Sequence, residues 1–214
     1  MLLASVITIV SASSFSPPES SYPNDAPGNY NNLLLCTMYT ATACLHDKPG
    51  SGVGPNCNSS YPYNAKEIAG LANLKQNWIS TRGSDDTFYK HEWEKHGTCS
   101  TDLLKTQKSY FEKTIQLHTQ LNLAGILKGR GIVPGTKVYQ KTAVAAALKA
   151  GLGVEVLLEC QSIGGKSYLS GVNVLYAHKS TFPKINPSAD YVRAYAGKCP
   201  ASFMLPTIPS SCYR

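Results

Sequence analysis

"VEVLLECQSIGGKSYLSGVNVLYAH", Val154 to His178, sets the fold class. Two segments rich in Val, Leu and Tyr flank "QSIGG", and a Gly-Gly pair between apolar runs is a hairpin signature. Upstream the period changes from two to nearly four. In Asn64–Trp78, Ile68, Leu71, Leu74 and Trp78 recur at three- and four-residue steps, the spacing of one helix face. Gly83-Ser84-Asp85-Asp86 makes a turn, and Asp86 or Thr87 is placed to cap the helix that follows. Thr106–Leu121 reads as a third helix, with Tyr110, Ile115, Leu117 and Leu121 as core candidates. Thr142–Ala150 is a short alanine-rich helix ending at Gly151. Helices in the middle and strands towards the end predict an α+β fold, with helices packed on an antiparallel β-sheet. Phe15 to Tyr63 is rich in Pro, Gly, Ser and Asn and reads as loops with one short strand at Leu33–Tyr39. "KPGSGVGP" (Lys48–Pro55) has no GK[ST] after its glycines, so it is a flexible turn rather than a phosphate-binding loop.

At 214 residues the chain is most simply one domain with a core of its own. Twenty Lys+Arg against thirteen Asp+Glu give a formal charge of +7, which favours an anionic partner and equally serves solubility. The apolar start, Leu2 to Val10, followed by small residues, reads as a signal peptide over residues 1–14, leaving 15–214 as the single domain. The alternative is a buried N-terminal strand; the run is too short to span a bilayer, which needs ~20 residues. Seven cysteines, with no CxxC pair, argue against a zinc ribbon or a thioredoxin-type site and for dispersed disulfides in an oxidising compartment. Asn58-Ser59-Ser60 is an N-glycosylation acceptor in an exported chain. The expected location is therefore extracellular or vacuolar.

Charge is scarce, at 15% of residues, yet "HEWEKHGTCS" (His91–Ser100) concentrates it. On a helix turning ~100° per residue, His91, Lys95, Glu92 and His96 fall within roughly 140° of arc, with Trp93 pointing towards the core. The zinc-protease signature H-E-x-x-H puts its histidines at i and i+4. Here they are five apart, and a lysine occupies the i+4 position, so no metal is expected in that role. Two histidines, a carboxylate and a lysine on one face suit phosphoryl transfer without a metal: a base, an acid, and cations for the phosphate oxygens. The bland alternative is a solvated helix face on which Glu92 and Lys95 merely pair.

"HEWEKHGTC" resembles the second catalytic segment of the ribonuclease T2 family. The similarity extends through "NCNSSYPYNAKEIAGLANLKQNW" before it, "SYFEKTIQLHTQLNLAGIL" after it, and the late "LLEC" with a cysteine-containing tail. The resemblance implies a disulfide-stapled α+β fold and cleavage of single-stranded RNA through a 2′,3′-cyclic phosphate. It also implies a secreted or vacuolar monomer with no cofactor, no metal and no membrane partner. By that resemblance His96 would be the general base and Glu92 and Lys95 would stabilise the pentacoordinate phosphorane. His91 would hold the phosphate, and Phe88 would stack on one base. Cys57–Cys99 would be a disulfide, and Cys160 would pair with Cys199 or Cys212.

The family's first catalytic segment, HGLWP, whose histidine protonates the leaving 5′-oxygen, has no match here. In its place stands "CLHDKPGSGVGPNC", with a single histidine, His46. Three readings stay open. His46 is the acid in a divergent loop; or residues 29–55 come from a faulty gene model; or the chain is a catalytically inactive T2-like glycoprotein that binds RNA or a protein partner. His118 reads as a surface residue, and His178 carries no assigned role.

Overall fold

Gly164 and Gly165 have φ of +55° and +74°, the two positive values that a tight two-residue hairpin turn requires. They join β4 (Leu157–Ile163) to β5 (Lys166–Ala177), paired from Ile163↔Lys166 out to Leu157↔Asn173. The computed structural model describes residues 4–9, 45–46, 59–78, 84–177, 179–189, 192–193 and 198–207. The first two segments, and Gln76, Lys95 and Cys99, are described through their backbone alone. The strand expected at Leu33–Tyr39, the turn at Lys48–Pro55, Cys57, Asn58, His178 and Cys212 lie outside the described residues.

The hairpin register shifts between Glu159 and Cys160, which face Gly171 and Leu169, leaving Ser170 as the extra residue of a bulge on β5. In an unbroken strand Leu169 and Val172, three positions apart, would point to opposite faces; the bulge resets the alternation, so Leu169, Val172, Val174 and Tyr176 all join one core.

β5 is the spine of the sheet. Along one edge run β4 and then β6 (Lys184–Ile185), with Leu175 opposite Ile185. Along the other run β7 (Ser202–Met204) and then β1 (Ala4–Ile9). β1 carries β2 (Leu45–His46) on its far side, and β7 carries β3 (Val138–Gln140). Among the described strands every pairing is antiparallel except β5–β7, so the expected antiparallel sheet is there a mixed one with a single parallel contact. The residues read from the sequence as either a leader or a buried strand thus include β1, matched to β5 from Ala4↔Ala177 to Ile9↔Val172. Cys160 on β4 is bonded to Cys199, just before β7, which settles its partner among the two candidates.

The helices follow the sequence with three corrections. Asn64–Trp78 is not one helix but two short ones, α1 (Ala65–Ile68) and α2 (Leu74–Asn77). Gly70 at φ +78° and Asn73 at φ +63° break the chain between them, a conformation that glycine and asparagine tolerate best. The cap of α3 (Asp85–Lys95) is Ser84 rather than Asp86 or Thr87: its Oγ accepts the Thr87 N–H at 3.2 Å. Asp85 and Asp86 instead occupy the first turn, where carboxylates suit the helix dipole. A 3₁₀ turn (Gly97–Ser100) follows α3. Then come α4 (Gln107–Leu121), capped by Thr106, and α5 (Leu123–Lys128). The alanine-rich α6 runs Lys141–Leu152, through Gly151, and stops at Gly153 with φ +77°. Gly151 is needed elsewhere: a Cβ there would meet Ile126 of α5 at 2.6 Å.

Among the described residues no helix is long and apolar enough to cross a membrane. The core lies between the helices and one face of the sheet. Its centre under α3 and α4 is aromatic, with Trp78 edge-on to Phe111 at 4.9 Å and Trp93 beside Tyr110 at 5.8 Å.

Candidate active site

The site is built on the last two turns of α3. Trp93 anchors them: it is 1% exposed, and its Nε1–H donates to the Tyr61 carbonyl at 2.9 Å. With that side turned inwards, His91, Glu92 and His96 share the remaining face. His91 is half-buried, while Glu92 and His96 are each only 5% exposed. One ligand-type atom from each of the three lies within 4.8 Å of the other two. The His91 and His96 rings meet edge to face, 5.8 Å between centroids.

An ideal helix would splay residues five apart by about 140°. The closeness has a local cause, because His96 is the cap rather than part of the helix. Its N–H still donates to the Glu92 carbonyl at 3.2 Å, but its φ of −118° leaves helical values, and the chain turns into the 3₁₀ segment. Gly97 makes that turn possible: a Cβ there would sit 2.3 Å from Trp93 Cε3 and 3.1 Å from Tyr110 Cδ1. Thr98 Oγ1 donates to the Glu94 carbonyl at 2.9 Å and Ser100 Oγ to the Gly97 carbonyl at 2.8 Å, so the turn is closed by its own side chains.

Of the other residues singled out in the sequence, Phe88 is half-buried one turn before His91, its ring 6.0 Å from Trp78 and 6.4 Å from Tyr89. Lys95 lies on the backbone of α3 between Glu92 and His96. Cys99 lies on the backbone of the 3₁₀ turn. His46 is on β2, and β2 packs beside that 3₁₀ turn, so the backbone brings His46 into the neighbourhood of His96. His118 is not the surface residue that its polar neighbours suggested. It is half-buried, its Nδ1 is 2.9 Å from Asn77 Oδ1, and burial lowers its pKa.

Two supports of the site left no mark in the sequence pattern. Gln107 is buried, and its side-chain amide holds both backbone groups of Asn64, accepting the N–H at 2.9 Å and donating to the carbonyl at 3.0 Å. Tyr63 Oη donates to Asp86 Oδ1 at 2.6 Å, fastening the segment before α1 to the first turn of α3. Polar side chains that clamp distant backbone carry no periodic signal by which a sequence could reveal them.

A His–Glu–His cluster on a rigid helix, mostly shielded from water, can exchange protons and hold an anion. The chain is similar to known proteins in sequence and in fold. Extracellular ribonuclease LE of Solanum lycopersicum is 37% identical over 152 residues, which is 63% of this chain and 64% of that protein. Ribonuclease T2 of Sus scrofa is 38% identical over 111 residues, 49% of this chain and 56% of that one. The chain therefore spans less than two thirds of the length of these curated relatives. Ribonuclease MC1 from bitter gourd seeds superposes with a TM-score of 0.66 at 23% identity, over 95% of this chain and 99% of that one. Human RNase T2 does so with a TM-score of 0.68 at 22% identity, over 95% and 98%, and both show a common fold. A family model matches residues 33–188, a span holding α3, its histidines and the β4–β5 hairpin alike, and this chain belongs to the Ribonuclease T2 family.

Proposed function

We propose that the chain is an endoribonuclease that cleaves single-stranded RNA by transphosphorylation through a 2′,3′-cyclic phosphate. The observation that carries this reading is the convergence of His91, Glu92 and His96 within 4.8 Å on one helix face. RNA suits the chemistry because its own 2′-OH is the nucleophile. In this reading His96 takes the 2′-OH proton as the new O–P bond forms. Glu92 and Lys95 stabilise the charge on the equatorial phosphate oxygens, and His91 holds the phosphate. His46, whose strand packs beside the 3₁₀ turn, gives its proton to the departing 5′-oxygen. Phe88 offers its ring to a base. No step calls for a cofactor.

Export is part of the proposal. It is supported by the Cys160–Cys199 disulfide, since such bonds persist in oxidising compartments, and by the relative named as extracellular. Removal of residues 1–14 on export would take β1 with it. N-terminal sequencing of the secreted chain therefore tells whether β1 belongs to the mature sheet.

The test is RNA cleavage in mildly acidic buffer with EDTA, reading cyclic phosphate ends, with His96→Ala and His46→Ala alongside. Loss of an acid or base costs about 10²–10⁴-fold, and both variants are expected to fall by that much. Loss in His96→Ala alone would remove His46 from the mechanism. A folded wild type that binds RNA and cleaves none would leave the second reading, a T2-like binding glycoprotein, which the absent HGLWP segment favours.

A further inference from the structure

We infer that the turn between α5 and β3 is a second RNA-binding surface, on which Lys128, Arg130 and Lys137 hold the phosphate backbone of a long strand away from the catalytic helix. The charge of the chain is not spread evenly. Residues 113–154 hold six Lys and Arg and no Asp or Glu, while the rest of the chain carries fourteen against thirteen. Nearly the whole excess of +7 therefore comes from one stretch. α3 itself has four carboxylates and two lysines, so with its histidines neutral it does little to draw in a polyanion. Cations kept only for solubility would be interspersed with acids over the surface.

Three of the six have work nearby. Lys149 pairs with Glu155, Lys141 Nζ donates to the Cys199 carbonyl at 3.4 Å, and Lys113 Nζ donates to Gln116 Oε1 at 2.7 Å. Lys128, Arg130 and Lys137 are exposed, and none has an acidic partner among the described residues. The backbone that carries them is fixed. The Leu127 carbonyl accepts the N–H of Arg130 at 2.9 Å and of Ile132 at 3.0 Å, and the Ile132 side chain is buried. Tyr139 Oη accepts the Val133 N–H at 3.0 Å, and Lys137 Nζ lies over the same tyrosine ring, 5.3 Å from its centroid. One side chain thus joins Lys137 to the turn that bears Arg130.

The surface fits a phosphate backbone rather than a bilayer or a base. Val133 and Val138 are exposed beside the cations, but α5 and α6 turn their apolar faces into the core through Leu127, Val144, Leu148 and Leu152. Neither helix has such a face left to lie in a membrane surface. Tyr139 is the one aromatic residue from Leu123 to Leu152, and it is buried. Bases find no ring to stack on, so contact is with phosphates and without sequence preference. Along α4, Tyr110 packs beside Gly97 of the site, and Leu121 ends the helix eleven residues later, about 16 Å at 1.5 Å per residue. The turn lies beyond that end, and the elements flanking it pack chiefly on α6 and β7. A stacked strand advances ~3.4 Å per nucleotide, so on the order of five nucleotides separate the two places. A short substrate meets α3 alone; a long one is held at both.

The experiment uses the whole secreted chain and a fluorescent 2′-O-methyl RNA of mixed sequence, about 20 nucleotides long, several times that separation. It binds but has no free 2′-OH to react, and its anisotropy gives Kd across a salt series. Lys128→Gln, Arg130→Gln and Lys137→Gln together should weaken binding about tenfold or more. They should also lower the slope of log affinity against log salt by about 2, at ~0.7 for each phosphate contact of a single strand. Lys166→Gln, Lys179→Gln and Lys184→Gln together remove the same charge from exposed positions elsewhere and should leave binding as in the wild type. Cleavage of a long RNA should lose the same factor through KM, with kcat kept, while a dinucleotide is cut at the wild-type rate. The effect on cleavage rests on the ribonuclease reading; the binding does not. An unchanged urea midpoint shows that the variants fold. Equal binding by the first variant and the wild type, or equal weakening in the second, would overturn the surface. So would an equal loss on dinucleotide and long RNA. Heparin or phosphatidylserine vesicles that hold the wild type while the oligonucleotide does not would assign the cations to another polyanion and overturn it too. Binding that depends on the three cations, in a chain that cleaves no RNA, would retain the surface and discard the ribonuclease reading.

Discussion

Gly97 is the residue on which the site's geometry turns. Its missing side chain leaves room for Trp93, which is 1% exposed and cannot move aside. Gly97→Ala forces overpacking that typically costs about 1–3 kcal/mol, read as a lower midpoint in urea unfolding. Because His96 is its neighbour, cleavage should fall further than the stability loss alone explains. Glu159 makes a different demand. Burial raises its pKa above the ordinary 4.5, against the smaller opposing pull of Lys198 and the Asn173 side chain. A carboxyl with a raised folded pKa contributes most below its unfolded value and loses that contribution as pH rises through the folded one. Glu159→Gln stays neutral throughout. Its Tm should exceed that of the wild type at neutral pH, with the gap closing as pH falls through the raised folded pKa towards the ordinary 4.5. A gap independent of pH would remove Glu159 from the account.

Between elements, the Cys160–Cys199 bond ties β4 to the segment that leads into β7, across a separation of 39 residues. On the loop-entropy model a closure of that length contributes about 4 kcal/mol. Replacing both cysteines with serine should lower the unfolding free energy by an amount of that order, read by denaturation of the secreted protein. The hairpin this bond supports was legible in the sequence, because alternating apolar residues and a Gly-Gly pair act locally. So were α3 and α4 as helices, although the cap of α3 was read two or three residues late, because Asp85 and Asp86 in the first turn suit a cap as well as Ser84 does. The break inside Asn64–Trp78 was not: Ile68, Leu71, Leu74 and Trp78 keep helical spacing across it, and the period conceals the left-handed Gly70 and Asn73. The His–Glu–His convergence was only half legible. Helical arithmetic puts the three on one face, but their approach to within 4.8 Å comes from His96 leaving the helix, a tertiary effect of Gly97 fitting over Trp93. Gln107 clamping Asn64 gave no signal at all.

For the whole molecule, resemblance along the chain carried further than pattern. α+β followed from the order of helices and strands, whereas the parallel β5–β7 contact and the pairing of β1 with β5 join segments far apart in sequence, where local propensity is silent. β5 has partners along both edges, and they arrive at different times. Its hairpin partner β4 is two residues away and can zip at once. β7 emerges only after β5 itself is made, and β1, the earliest of the described strands, meets β2 by residue 46 but must wait for residues 172–177 before its place on the central strand exists. Contacts of that sequence separation form slowly, because loop closure precedes any reward from pairing. Assembly should therefore proceed outward from the 157–177 hairpin, and pulse-labelled hydrogen exchange during refolding should show its amides protected before those of Ala4–Ile9. Until β1 docks, one flank of the central strand is an open template, and the nascent protein has an interval in which a neighbouring chain can occupy that place.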